Sequence, residues 1–243
     1  MRRCFTIEAE AVAKSYGAQQ ILSGASFFVD TGQIAAIAGK NGSGKSTLLA
    51  IAAATLKPDG GRVLLGGEDP FKSPGLRKRI GYVAQGDCLF EELTVRDNLT
   101  FWAAAADIPG SGALRSPYIS LLGLEPFLRK RVSRLSGGMR RRAAVCASLL
   151  SDPDYLLLDE PFAGLDLLYR QELATCLLKL RNMGKTLLYT THSPEELIQL
   201  SDITFLLAHG KIISCQNTKD LIRQGVDIQQ LLISLIKGES KLL

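Results

Sequence analysis

The stretch Gly39–Thr47, G-K-N-G-S-G-K-S-T, constrains the fold more than any other part of this 243-residue chain. It follows a short apolar run, Ile34–Ala38, and precedes Leu48-Leu49-Ala50-Ile51-Ala52, which reads as the start of a helix. Strand, glycine-rich loop and helix in that order turn the pattern G-x-x-x-x-G-K-[ST] into a phosphate-binding loop. Gly39, Gly42 and Gly44 let the loop wrap tightly with its backbone N–H groups pointing inward. The helix N-terminus adds partial positive charge beneath a triphosphate. In such a loop Lys45 reaches the β- and γ-phosphates and the Ser46 hydroxyl ligates Mg²⁺, while Asn41 and Thr47 complete the nucleotide-contacting set. Without its flanks the segment is a glycine-rich turn carrying an exposed lysine. With them it implies a nucleoside triphosphate.

Bulk properties exclude several classes. The chain is 46% hydrophobic and 22% charged, with no low-complexity tract or internal repeat. Its net charge of +5 is too modest to argue for nucleic acid. Much of that charge sits in Arg77-Lys78-Arg79, Arg129-Lys130-Arg131 and Arg140-Arg141-Arg142, clusters that read as solvated faces or as contacts to phosphates or anionic lipid headgroups. No apolar run approaches the ~18–20 residues that span a bilayer. Met1-Arg2-Arg3 begins like a signal peptide, but Glu8 and Glu10 break any apolar h-region. The five cysteines are scattered, without C-x-x-C spacing, so neither a disulfide framework nor a zinc site is expected. The expected location is cytosolic, with any membrane role exercised through a partner.

Phe5–Val12 alternates apolar and polar residues as a half-buried strand does, Tyr16-Gly17 reads as a turn, and Gln20–Val29 as a second extended stretch. Beyond the phosphate loop and its helix, Arg62–Leu65 and Ile80–Ala84 read as strands. From Thr94 to about Leu150 the apolar spacing turns helical. Thr94 and Asp97 form a variant capping box there, and Asp107–Gly112 ends the helix they open. Strand and helix alternate again afterwards, with Tyr155–Leu158, Thr186–Thr190, Ile203–Leu207 and Lys211–Cys215 as strands and Leu167–Arg181 as a helix. Ser193 caps a short helix begun by Pro194. An all-helical insert thus projects from an α/β core.

Tyr155–Leu158 ends in Asp159-Glu160, and a buried strand ending in an acidic pair supplies one carboxylate to Mg²⁺ and a second near the γ-phosphate. Asp159 takes the first part. Glu160 orients or deprotonates the attacking water. Leu135-Ser136-Gly137-Gly138-Met139-Arg140 then decides the family, because it resembles the signature motif of ABC-type ATPases and stands about 20 residues before the acidic strand. Physically it is a second anion site, Ser136, Gly137 and Gly138 at a helix N-terminus.

That resemblance runs from Phe5 to about Cys215. It implies an α/β P-loop NTPase core with an antiparallel β subdomain and an inserted all-helical subdomain. The whole chain would be one ATP-binding domain: core and β subdomain at about 1–90 and 151–215, helical subdomain at about 91–150, tail at about 216–243. It implies an ATPase with ATP and Mg²⁺ as cofactors, and a head-to-tail dimer in which the phosphate loop of one subunit and the signature of the other enclose each nucleotide. By the same resemblance Tyr16 stacks on adenine and Gln85 joins the Mg²⁺ site to the helical subdomain. Asp166, in Ala163-Gly164-Leu165-Asp166, communicates across the dimer, and His192 contacts the γ-phosphate. His209 matches nothing and is left as structural. Met139 stands where the family usually has Gln, so an altered contact near the nucleotide is expected there.

The implied partners are transmembrane permease subunits and a second ATPase subunit, with no nucleic acid. The implied place is peripheral, on the cytoplasmic face of the membrane. The stretch Leu93–Phe101 and the ending Met139-Arg140-Arg141-Arg142 resemble small exporter ATPases, and the 28 residues beyond Cys215 are too few for the C-terminal regulatory domain of many sugar importers. An importer subunit is the alternative. A soluble ABC protein acting on DNA or ribosomes, or a P-loop kinase of another family, fits less of the sequence.

Overall fold

The computed structural model describes residues 6–224, 226–228 and 230. Phe5 and the tail beyond residue 230 lie outside the described residues. The elements run β1 (Ile7–Tyr16), β2 (Gln19–Val29), β3 (Ile34–Ala38), α1 (Lys45–Ala52), β4 (Gly60–Leu65), α2 (Pro74–Arg77) and β5 (Ile80–Val83). A helical stretch follows: α3 (Val95–Ala105), α4 (Gly110–Ala113), α5 (Pro117–Leu121), two short 3₁₀ turns and α6 (Gly137–Leu149). Then come β6 (Tyr155–Leu158), α7 (Leu167–Asn182), β7 (Thr186–Thr191), α8 (Pro194–Leu200), β8 (Ile203–Ala208), β9 (Lys211–Asn217) and α9 (Thr218–Arg223).

Two sheets carry the chain. One is antiparallel and three-stranded, in the order β2-β1-β4; the other is six-stranded, in the order β5-β6-β7-β3-β8-β9. All neighbours in the second are parallel except β8 and β9. Side chains alternate across a strand, so β3 divides its residues between two cores. Ile34, Ala36 and Ala38 join the core made with α6 and α7, while Ala35 and Ile37 join the one made with α1 and the antiparallel sheet. Burial on both faces explains why β3 and β6 read as unbroken apolar runs, and β7 is buried throughout although three of its six residues are threonines.

The helical stretch does not have a core of its own. Val95, Leu99, Tyr118, Ile119, Leu122 and Val132 belong to the same buried cluster as Leu173 and Leu177 of α7. Its first helix starts where the sequence places it. The Thr94 hydroxyl accepts from the Asp97 amide at 3.1 Å and the Asp97 carboxylate from the Thr94 amide at 3.3 Å, a reciprocal cap. Beyond Asp107, which has φ +60°, the expected turn contains the single helical turn α4.

Strand β1 runs on to Tyr16 rather than stopping at Val12. Register shifts at Ala9/Val12, Val12/Ala13 and Lys14/Ser15 break the period-2 pattern without breaking the pairing, so the alternation fades where the strand continues. Gly61 sits against this irregularity with φ +73°, and a Cβ there would lie 2.3 Å from the carbonyl oxygens of Glu10 and Ala11. Gly61→Ala should therefore cost at least ~2 kcal/mol of stability, combining backbone strain with a steric clash. Chemical denaturation tests this; an unchanged midpoint would refute it.

The three basic clusters have different surroundings. Arg129, Lys130 and Arg131 are exposed, as a solvated face requires. Arg140-Arg141-Arg142 is not such a face: Arg141 is buried, and Arg140 and Arg142 are half-buried. Helix α6 turns Arg141 inward, Arg140 pairs with Glu91 at 2.9 Å and Arg142 with Glu172 at 3.2 Å. In the first cluster Lys78 pairs with Asp107 and Arg79 with Asp154.

Candidate nucleotide site

The carboxyl ends of four parallel strands deliver the chemistry: β3 leads to the phosphate loop, β5 to Gln85, β6 to Asp159-Glu160 and β7 to His192. In open α/β sheets ligands bind outside these ends, where backbone groups and helix N-termini converge. A cleft of about 470 Å³ lies there, lined by Tyr16, Ile21, Asn41, Gly42, Gly44, Lys45, Ser46, Thr47, Gln85 and Glu160. Tyr16 is 52% exposed, so its ring face is free to stack. A separate cavity of about 370 Å³ shares Ile21, Asn41 and Gly42 but is walled by Gln19, Gln20 and the β8–β9 turn at His209 and Gly210. Lys45, Ser46, Gln85 and Glu160 do not line it; these four side chains gather in the first cleft. His209, at φ +50°, serves that turn, its carbonyl accepting from the Ser23 hydroxyl at 3.2 Å.

The loop's glycines are required individually. Gly42 and Gly44 have φ +78° and +100°, a region closed to most side chains. Gly39 has ordinary backbone but no room: a Cβ would lie 2.5 Å from the Leu207 carbonyl oxygen. The Lys45 ammonium donates to the carbonyls of Gly39 at 3.0 Å and Lys40 at 3.2 Å, and lies 3.7 Å from Glu160 Oε1. Burial pulls its pKa below the ordinary lysine value, an effect opposed by the Glu160 and Asp159 carboxylates. A desolvated ammonium held at the mouth of a glycine loop suits a phosphate, whose charge replaces the water it has lost.

The Ser46 hydroxyl donates to Asp159 Oδ1 at 3.1 Å. Mg²⁺ is commonly bound through one or two protein oxygens with substrate phosphates and water completing its shell, and this hydroxyl and carboxylate form such a pair. The residues present therefore fit the ion. Glu160 is held at φ +43°, a conformation costly for a non-glycine residue. Its amide donates to the Thr190 hydroxyl at 2.8 Å, and that hydroxyl in turn donates to Asp159 Oδ1. His192 Nδ1 stands 3.4 Å from Glu160 Oε1.

Ser136, Gly137 and Gly138 lie elsewhere and line no part of the cleft. Ser136 caps α6, its hydroxyl accepting from the Met139 amide at 3.3 Å. Gly138 is tight for a reason the motif does not reveal: a Cβ there would lie 2.4 Å from Tyr169 Cγ. Asp166 caps α7, its Oδ1 accepting from the Tyr169 amide at 3.0 Å. The two motifs thus meet at Tyr169, whose ring also lies under the Arg142 guanidinium at 5.6 Å.

Sequence reasoning missed Arg141 and Thr190. The Arg141 guanidinium donates to the Ala84 carbonyl at 3.0 Å and to the Asp159 carbonyl, and stands 3.7 Å from Asp87. It bolts the signature helix to the strand end before Gln85 and to the acidic pair. The helical phase of α6, with Gly138, Arg141 and Val145 all buried, was a readable signal for its inward direction.

Residues 22–163 match the ABC transporter family. The probable sulfate/thiosulfate import ATP-binding protein CysA of Chlorella vulgaris is 35% identical over 87% of this chain and 91% of its own length. The Nod factor export ATP-binding protein I of Paraburkholderia xenovorans is 37% identical over 86% of this chain and 69% of its own. Among solved structures, CbiO1 of Clostridium perfringens, part of the ABC transporter complex CbiONQ, superposes with a TM-score of 0.82 at 27% identity, covering 96% of this chain and 97% of that one. The chain belongs to the ABC transporter family. It is an ATP-binding subunit of that family, an ATPase coupled to transport. Among the described residues no helix is long and apolar enough to cross a membrane.

Proposed function

We propose that two copies of this chain close head to tail around two ATP molecules, each site completed by Ser136, Gly137 and Gly138 of the other copy. The observation that carries this reading is the split between two anion cradles. Lys45, Ser46, Gln85 and Glu160 share one cleft, whereas the capped N-terminus of the 13-residue helix α6 takes no part in it. An unused donor-rich helix N-terminus is suited to a phosphate brought by another molecule. Tyr16 stacks on the base, and Lys45 with the loop amides holds the β- and γ-phosphates. Ser46 and Asp159 hold Mg²⁺, which when bound offsets phosphate charge. Gln85 lies at the edge of that Mg²⁺ site, and Glu160 takes a proton from the attacking water. His192 holds the γ-phosphate, and Asp166 reaches across the dimer. Closure lasts while the γ-phosphate is attached, so hydrolysis reopens the pair by population shift.

A membrane permease docks where the core meets the helical stretch, on the cytoplasmic face. Phe90, Leu93 and Phe101 are exposed there, with the two phenylalanine rings 4.7 Å apart edge to face. Buried Asn98 pins the segment, accepting from the Phe90 amide at 2.8 Å and donating to its carbonyl at 3.0 Å. The direction we propose is export, on the strength of Leu93–Phe101 and the run Met139-Arg140-Arg141-Arg142. Import is supported by the sulfate/thiosulfate relative, which matches the chain about as well. Transport by the chain and its co-purified permease in sealed vesicles separates the two, because ATP outside the vesicle drives cargo in for an exporter and out for an importer. Lys45→Ala should abolish measurable ATP binding, a loss of two or more tenfold steps if its charge-assisted phosphate contacts are worth about 3 kcal/mol. Unchanged ATP affinity in a calorimetric titration would overturn the site.

A further inference from the structure

Thr190 and Thr191 end β7 with one device used on opposite faces of the strand. The Thr190 hydroxyl accepts from the Glu160 amide and donates to the Asp159 carboxylate, fixing the turn that carries Glu160. The Thr191 hydroxyl accepts from the Ser193 amide at 3.0 Å and donates to Glu196 Oε2, bracing the turn that carries His192. Thr191 is 2% exposed and the Glu196 side chain 11%. The backbone of Glu196 is fixed as well, its carbonyl accepting from the Tyr189 hydroxyl at 3.0 Å.

Glu196 also faces a cation. Arg170 Nη1 stands 4.0 Å from Glu196 Oε1, while Arg170 Nε donates to the Leu165 carbonyl at 2.8 Å. Leu165 precedes Asp166. A continuous path therefore runs from the Asp166 loop through Arg170, Glu196 and Thr191 to the backbone beside His192. We propose that Glu196 is a positioning residue for His192, clamping its turn through Thr191 and tying that turn to the Asp166 loop through Arg170. This role rests on the reading of Glu160 and His192 as the groups that act at the γ-phosphate. Burial raises the Glu196 pKa, and the Thr191 hydrogen bond, Arg170 and His192 oppose that rise. None of the three side chains lines the cleft that holds Lys45, Ser46, Gln85 and Glu160.

The test is steady-state ATP hydrolysis by the purified chain and its variants, with thermal melting alongside. Glu196→Ala and Thr191→Val should each lower kcat about tenfold while KM for ATP stays within about twofold, the pattern of a lost transition-state contact. The double variant should be no worse than the poorer single, because both cut one path. Glu196→Gln keeps an oxygen for the Thr191 hydroxyl and should recover most of kcat. Arg170→Met should lower kcat more in the parent chain than in the Glu196→Gln background, where the charge it faces is already gone and only its bond to the Leu165 carbonyl remains to be lost. Unchanged kcat in Glu196→Ala, multiplying effects in the double variant, or equal losses for Ala and Gln with a matching fall in melting temperature would each overturn the role. Absence of Lys45-dependent hydrolysis in the parent chain would instead overturn the proposed site, and this role with it.

Discussion

Glu160→Gln is expected to lower ATP hydrolysis at least ~100-fold, the usual contribution of a positioned general base, with ATP affinity within about twofold of the parent. The amide is nearly isosteric, so the contacts to Lys45 at 3.7 Å and His192 at 3.4 Å keep their geometry while the proton acceptor is lost. Bound ATP then stays intact, and the chain should accumulate as a dimer in light scattering with ATP and revert to monomer with ADP. Only monomer with ATP would count against the head-to-tail arrangement; near-parental hydrolysis would count against Glu160 as the base. The backbone offers a separate control. At φ +43°, Glu160→Gly should relieve backbone strain while losing the contact to Lys45, with hydrolysis falling as far as in the glutamine variant.

Arg141→Met should cost about 3 kcal/mol of stability, the scale for removing one partner of a buried ionic network, and should lower kcat as well. Methionine preserves much of the apolar packing of the arginine stem, so the loss reports the guanidinium. Its removal strips a donor from the Ala84 and Asp159 carbonyls and a partner from Asp87. Arg141→Lys should recover only part of the loss, since one ammonium cannot span both carbonyls in the planar fork that a guanidinium presents. Urea denaturation gives the stability term, and a midpoint equal to the parent would exclude Arg141 as a structural link between the helical stretch and the acidic pair.

How far the sequence reaches depends on how local each feature is. The phosphate loop, the Thr94 cap and the Ser136 cap are legible because their partners lie within a few residues, where spacing alone fixes who meets whom. The strands β3 and β6 are legible because burial on both faces leaves unbroken apolar runs. The end of β1 is not, because its register shifts interrupt the alternation on which strand reading relies. Arg141 reads as part of a charged surface run until the phase of α6 turns it inward.

The sequence by itself determined that this chain holds a phosphate loop, an acidic strand end and a second capped helix N-terminus, and so the class of chemistry open to it. Only the tertiary structure decided which of these converge. It brings Lys45, Ser46, Gln85 and Glu160 to one cleft while Ser136 and Gly138 face elsewhere, and it gives Gly138 a second duty beneath Tyr169. It also sets the Thr190 hydroxyl against the Glu160 amide, the Thr191 hydroxyl against Glu196, and Glu196 4.0 Å from Arg170, which donates to the Leu165 carbonyl. The physical reason is range. A motif is a set of short-range contacts written contiguously, whereas a clamp of hydroxyls and carboxylates joins neighbouring strand ends and helices that only the folded sheet brings together.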